Sequence, residues 1–277
     1  MKTVTLPSGK RVSALGLGTW YLGESQAVRA EEIATLRLGL DLGITLIDTA
    51  EMYGDGRSEE MVAEAIEGRR NEVFLVSKAF PNNASRKGAV AACERSLARL
   101  RTDHIDLYLL HWRGNVPFVE TLEAFEALQK AGKIHHFGVS NLGLADMQEL
   151  ASVPGGPAVA TNRLLYNPSR RSIEWDLLPR LRERRIRVMA YSPIEHARLT
   201  VNPKFVKFAG RHSMTSAQAS LAWLLAYDDV IGIPKTGHRE RLKENIGALA
   251  HRLMPAQLAE LDRLFPSPTG PRPLEML

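Results

Sequence analysis

The sequence predicts a (β/α)8 TIM barrel entered through an N-terminal β-hairpin, and three observations lead there. Short apolar runs alternate with amphipathic stretches eight times in about 250 residues, a length at which α/β barrels form one unit. Helix-ending signals fall just ahead of the next apolar run. Four consecutive apolar runs end in polar or ionisable residues: Asp48, Lys78, His111, and Ser140 with Asn141.

Residues 4–6 and 11–13, joined by Pro7, Ser8 and Gly9, read as the hairpin. Strands are expected at residues 15–18, 45–48, 73–78, 105–111, 134–140, 159–162, 188–191 and 230–234. Between them, Ile33, Leu36 and Leu40 share one helical face, as do Val90, Cys93, Leu97 and Leu100, and Leu122, Phe125 and Leu128. Gly43 and Gly132 stand where a helix C-terminus needs a left-handed residue. Thr215 with Gln218 forms a capping box for the helix through Leu221 and Leu225. No linker or low-complexity tract divides the chain, so residues 1–277 read as one domain, with 152–157 a helix-to-strand loop and 266–273 a short irregular tail.

Composition narrows the function classes. With 44% apolar and 24% charged residues, a chain of 277 can build a core without a disulfide or metal staple. Cys93 is alone, so no internal disulfide can form, and residues 1–12 carry no signal-peptide core; a cytoplasmic protein is expected. No apolar run reaches membrane-span length. The net charge of +5 suits an anionic ligand such as a dinucleotide phosphate. The basic run 180–187 reads as a solvated helix face, and without interleaved aromatics it points away from nucleic acid. His135 and His136 point to opposite faces of a strand, and His104, His196, His212, His238 and His251 lack ligand spacing, so no metal is expected. Cys93 falls on the apolar face of its helix and reads as core.

In a barrel the C-terminal ends of the strands converge on one mouth, where active sites sit. Singly, Asp48 could be a turn cap, Lys78 a surface lysine and His111 a core histidine. An unpaired Asp or Lys at the edge of an apolar strand is costly, and their common register is not a stability pattern. Tyr53 lies five residues beyond Asp48, in Asp48-Thr49-Ala50-Glu51-Met52-Tyr53-Gly54.

That segment resembles the D-T-A-x-x-Y-G signature of the aldo-keto reductases. Lys78 in Leu75-Val76-Ser77-Lys78 and His111 in Leu109-Leu110-His111-Trp112 match the family's other catalytic positions, and Gly132-Lys133-Ile134 through Gly138-Val139-Ser140-Asn141 is similar to its G-K-x-R-x-x-G-V-S-N block. The resemblance runs from the hairpin to about residue 249. It implies reduction of a carbonyl with NADPH. Tyr53 would be the general acid, and because a free tyrosine titrates near about 10, a charged Lys78 would be needed to lower its pKa. Asp48 would hold Lys78, and His111 would orient the substrate oxygen.

The dinucleotide fingerprint of open sheets is missing: Gly16-x-Gly18 is followed by Tyr21 where the third glycine belongs. A barrel binds phosphate near its last strands instead. There, Ile233-Pro234-Lys235-Thr236 followed by Arg241, Glu244 and Asn245 resembles the family's I-P-K-S and R-x-x-E-N segments. The resemblance implies that Lys235, Thr236 and Arg241 bind the 2′-phosphate of NADPH, and that Glu244 and Asn245 contact the adenine. It also places Ser140 and Asn141 on the nicotinamide carboxamide, Tyr191 against the nicotinamide ring, and Ser192 in the same cofactor site. Arg163 departs from the pattern by standing where the family has Gln. An arginine can donate but not accept, so either the carboxamide is held differently or Arg163 turns to solvent.

Trp20 and Trp112 could line the substrate mouth or pack its rim. The short segments after Tyr191 and Phe265 suggest an open site for small carbonyls, and the resemblance is closest to bacterial reductases of methylglyoxal and similar aldehydes. A monomer is expected. Two other functions fit parts of the pattern: a Schiff-base aldolase using Lys78, which leaves Tyr53 and the 235–241 segment unexplained, and a nucleotide-sensing subunit, which leaves the catalytic residues without a use.

Overall fold

Every residue from 1 to 277 is described by the computed structural model. The hairpin strands β1 (Thr3–Thr5) and β2 (Arg11–Ser13) pair antiparallel. Eight parallel strands follow: β3 (Gly16–Gly18), β4 (Leu46–Asp48), β5 (Phe74–Ala79), β6 (Ile105–Leu110), β7 (Ile134–Ser140), β8 (Thr161–Leu165), β9 (Arg187–Tyr191) and β10 (Val230–Ile233). Each pairs with its neighbour in sequence, so the spatial order is the chain order. Closure joins the ends: the Gly232 amide donates to the Ala14 carbonyl at 2.9 Å and the Gly18 amide to the Pro234 carbonyl at 3.0 Å. The seam is close-packed: a Cβ on Gly18 would stand 3.2 Å from Ile233 Cγ2.

Helices α1 (Gln26–Asp41), α2 (Arg57–Ala65), α3 (Arg86–Leu100), α4 (Phe118–Lys130), α5 (Leu144–Ser152) and α6 (Leu177–Glu183) link successive strands from β3 to β9. Two helices, α7 (Pro203–Arg211) and α8 (Ser216–Leu225), separate β9 from β10, and α9 (Arg239–Gly247) and α10 (Pro255–Leu264) finish the chain. The predicted faces are those that pack: Leu36, Leu40, Cys93, Leu97, Leu100, Leu122, Phe125 and Leu128 are buried, while Ile33 and Val90 lie half-buried at the margin of the core. Gly43 and Gly132 take φ of 88° and 73°, and the Thr215–Gln218 box is made in both directions. No helix is long and apolar enough to cross a membrane.

One strand is misplaced by the sequence. The sixth barrel strand begins at Thr161 and runs to Leu165, not from 159 to 162. A central arginine reads as a strand end, since a charge inside a barrel wall is costly. Arg163 is nevertheless in the middle of β8, because its counter-charge comes from another strand, Asp48 on β4.

Candidate active site

The strand ends converge as the sequence implies. Asp48 closes β4, Lys78 is the penultimate residue of β5, His111 follows β6, and Ser140 closes β7 with Asn141 just beyond. Tyr53 begins the one-turn helix Tyr53–Gly56 that leads into α2. Gly54 and Asp55 there adopt φ of 56° and 53°, a left-handed pair that turns the chain sharply back over the barrel.

Tyr53 Oη accepts from Lys78 Nζ at 3.2 Å and from Arg163 Nη2 at 3.2 Å. Lys78 Nζ lies 3.0 Å from Asp48 Oδ1 and donates to the Thr49 carbonyl at 2.6 Å. Arg163 Nε donates to Asp48 Oδ2 at 3.2 Å. Asp48 therefore bridges two cations, and both cations touch one phenol oxygen. Lys78 is fully buried and Asp48 nearly so. Arg163 does not turn to solvent: it is buried, with its guanidinium carbon 4.5 Å from the Tyr191 ring centroid.

Burial sets the titration behaviour of the group. Burial pushes the Tyr53 phenol above its usual range, and Arg163 is the group that pulls it back, while Asp48 adds to the rise. Burial lowers the pKa of Lys78 to about 7, against the opposing pull of Asp48. Burial, then Lys78 and Arg163, hold His111 well below the ordinary histidine range, so its ring is neutral at pH 7. His111 Nδ1 is buried without a hydrogen-bond partner, and its ring centroid is 5.8 Å from that of Tyr53.

Around this group lies a polar rim. Asn141, at φ 55°, donates to the His111 carbonyl at 3.3 Å and accepts from Tyr191 Oη at 3.0 Å. Ser140 Oγ donates to the Arg163 carbonyl at 3.1 Å. Ser192 is left-handed at φ 47°, and its carbonyl accepts from Asn167. Trp20 stacks near Tyr53 at 6.5 Å between centroids, and Trp112 lies 4.8 Å from His111; both are half-buried, so both border the site.

Beyond β10 lies the segment in which the sequence expects the cofactor phosphate to bind. Lys235 and Arg241 are exposed and neither is in an ion pair, whereas Arg239 between them is held by Glu31 at 2.9 Å. The first turn of α9 leaves its N–H groups without intrahelical acceptors, which favours an anion there. Thr236 Oγ1 accepts from the His238 amide at 3.1 Å, fixing the turn into the helix. Glu244 is half-buried and Asn245 buried on the same helix.

Several participants leave no signal in the sequence. Glu59 on α2 is a fully buried carboxylate, accepting from Ser77 Oγ at 2.6 Å and from Arg99 Nε at 2.6 Å behind β5. The tail is tied down, with Glu275 paired to Arg170 at 2.7 Å and Ser267 Oγ bonded to Glu174 at 2.7 Å. A cavity of about 730 Å³ lies between this tail and residues 168–172. At the opposite end of the barrel, ligand atoms of His104, Asp106 and His135 lie within 4.8 Å of one another, a convergence their spacing does not suggest. Asp106 Oδ2 there already accepts from Arg70 and from the Leu75 amide, both at 2.9 Å or less. Cys93 is buried, with its thiol pushed up to about 12 by burial, as a core residue should be.

An eight-stranded barrel with a Tyr–Lys–Asp–His group at its mouth and two exposed, unpaired cations past its last strand suggests a class, and sequence comparison supplies it. Residues 14–265 match the model of the aldo/keto reductase family, and the chain belongs to that family. It is 46% identical over 281 residues to methylglyoxal reductase YeaE of Escherichia coli, covering 100% of this chain and 99% of that protein. It is 31% identical to a glyoxal reductase of Bacillus subtilis, covering 99% and 97%. Among solved structures, an aldo-keto reductase from Klebsiella pneumoniae in complex with NADPH superposes with a TM-score of 0.97 at 46% identity, covering 100% and 99%.

Proposed function

We propose that this protein reduces small aldehydes, methylglyoxal among them, to alcohols with NADPH, using Tyr53 as the proton donor. The observation that carries the reading is the buried contact of the Tyr53 oxygen with two cations that share Asp48. The relatives' activities support the substrate class, and the Klebsiella complex supports the cofactor. The chain's donor set fits a phosphorylated dinucleotide: two unpaired cations and a helix N-terminus at one end, and the orphaned His111 nitrogen at the other.

When bound, NADPH supplies a hydride to the carbonyl carbon. Everything else falls to the chain. Lys235, Thr236 and Arg241 hold the 2′-phosphate, with charge-assisted hydrogen bonds that a dianion satisfies well. Glu244 and Asn245 meet the adenine. Ser140, Asn141, Tyr191 and Ser192 shape the nicotinamide end. Neutral His111 orients the carbonyl oxygen. Tyr53 gives that oxygen its proton, and the phenolate left behind keeps the hydrogen bonds of Lys78 and Arg163. A preorganised pair of donors at the atom that gains charge is the usual source of large rate effects. Residues 1–277 act as one domain in this reading, and monomers suffice because every proposed group comes from one chain.

Reduced-nicotinamide absorbance, followed against a panel of aldehydes, tests the proposal. Consumption with methylglyoxal supports it; tight NADPH binding without turnover would indicate a sensor, and borohydride trapping of substrate on Lys78 would indicate an aldolase. Arg241→Ala should weaken NADPH by about tenfold or more while changing NADH by less than about threefold, since only NADPH presents the extra phosphate. Equal losses for both cofactors would contradict the phosphate assignment.

The pH dependence follows from Lys78. Its pKa is lowered to about 7, so the charged form that supports proton delivery predominates below pH 7 and is lost above it. The kcat/KM profile, which reports groups of the free enzyme, should therefore fall with a single alkaline limb near 7. A profile flat to pH 9 would contradict this.

A further inference from the structure

Arg163 makes more contact with the reacting group than its position on a barrel strand would require. Its Nη2 donates to Tyr53 Oη, its Nε to Asp48 Oδ2, and its guanidinium covers one face of Tyr191. The titratable groups facing this spot are Asp48 on β4, Lys78 on β5, His111 after β6 and Tyr191 on β9, with Glu59 on α2 behind Lys78. The charge balance is informative. Asp48 supplies one negative charge to two buried cations. With both charged, the group carries a net positive charge that burial opposes; with Lys78 neutral it is balanced. A guanidinium does not deprotonate in a protein, so the proton that leaves belongs to Lys78.

We propose that Arg163 is a catalytic residue of this reductase: it is the fixed positive charge on the Tyr53 oxygen, and by occupying Asp48 it frees Lys78 to act as a proton carrier. The Tyr53 O–H bond breaks and its proton forms the new O–H of the alcohol, leaving the electron pair on the phenolate oxygen. Arg163 and Lys78 hydrogen-bond that oxygen. Lys78 then gives one N–H proton to the phenolate, restoring the phenol, and as the neutral amine it later takes a proton from water. Arg163 keeps its charge throughout. Two cations on one oxygen thus have separate tasks, one electrostatic and one in proton transfer.

The inference rests on the reductase reading, so its test includes an arm that needs no turnover. NMR titration of the Lys78 side chain, assigned by its loss in Lys78→Met, should give a midpoint near 7 in the wild type. In Arg163→Gln the midpoint should rise by at least about one unit, because a like charge is gone and Asp48 belongs to Lys78 alone. In the kinetic arm, the same variant should lose about tenfold or more in kcat, its kcat/KM alkaline limb should move up with the NMR midpoint, and NADPH Kd from fluorescence should change less than about threefold. Arg163→Lys, which returns a cation to Asp48, should fall between the two in both arms, and it carries the comparison with wild type if Arg163→Gln does not fold. An unmoved Lys78 midpoint would overturn the proposal. So would a loss confined to NADPH affinity at wild-type kcat, which would make Arg163 a cofactor contact only. If wild type reduced no aldehyde, the reductase reading would fail while the Lys78 titration still judged Arg163.

Discussion

Tyr53→Phe should lower kcat for aldehyde reduction by about a thousandfold and change NADPH affinity by less than about threefold. General acids of this kind contribute roughly 10²–10⁴ in rate, and here the hydroxyl is the buried atom on which Lys78 and Arg163 converge. Phenylalanine keeps the ring, its edge-on packing with His111 and its stacking near Trp20. What it removes is one oxygen. Folding should suffer little, about 1 kcal/mol, because each cation retains Asp48 and Lys78 also retains the Thr49 carbonyl. The KM-against-kcat split is informative: a group that acts only in the transition state lowers kcat, whereas a packing residue would disturb binding as well. Retention of more than about a tenth of wild-type kcat would remove Tyr53 from the role.

Asp48→Asn should be the most destabilising conservative change in the site. The carboxylate is almost fully buried and is the ion-pair partner of both Lys78 and Arg163. Removing one partner from a buried pair costs roughly 3–5 kcal/mol, since the other charge is left uncompensated. Lys78 can escape part of that cost by losing its proton; Arg163 cannot. The sign of the pH effect follows. Without Asp48, which raises it, the folded-state pKa of Lys78 must drop below about 7, while in the unfolded chain it stays near about 10.4. Between those values the unfolded state binds the extra proton, so stability rises with pH. The variant should be least stable at neutral and acid pH and recover towards about pH 10. Thermal denaturation across that range checks it; a loss of stability that grew with pH would contradict the ion-pair account.

How much of this is legible in the sequence varies with the residue. Asp48, Lys78, His111 and Asn141 announce themselves because a barrel brings successive strand ends to one mouth, and strand ends can be read from hydrophobic pattern. Tyr53 needs the family signature, since nothing in a loop's composition says that a left-handed Gly54 and Asp55 will fold it back. Arg163 is the hardest. Its partner Asp48 lies 115 residues away, so a charge inside a strand looks like the end of that strand. Pairing at such distance leaves no local trace. The same limit hides Glu59, whose partners Ser77 and Arg99 lie on other elements, and the Glu275–Arg170 tie of the tail. Nor can sequence separate Arg239, already held by Glu31, from Arg241 and Lys235, which are unpaired and suited to phosphate. The titration of Lys78 is hidden from the sequence for a further reason. A lysine in water is fully charged at neutral pH, whereas burial beside a second cation lowers the pKa of this one to about 7.

In the proposed reaction this barrel reduces aldehydes with NADPH through a proton from Tyr53. Its most direct measurement is single-turnover oxidation of enzyme-bound NADPH by methylglyoxal, with chromatographic detection of the alcohol, in wild type and in Tyr53→Phe side by side. The account predicts one alcohol formed per cofactor oxidised by the wild type, and bound NADPH that stays reduced in the variant on the same timescale. Equal oxidation in both proteins, or oxidation without alcohol, would contradict it.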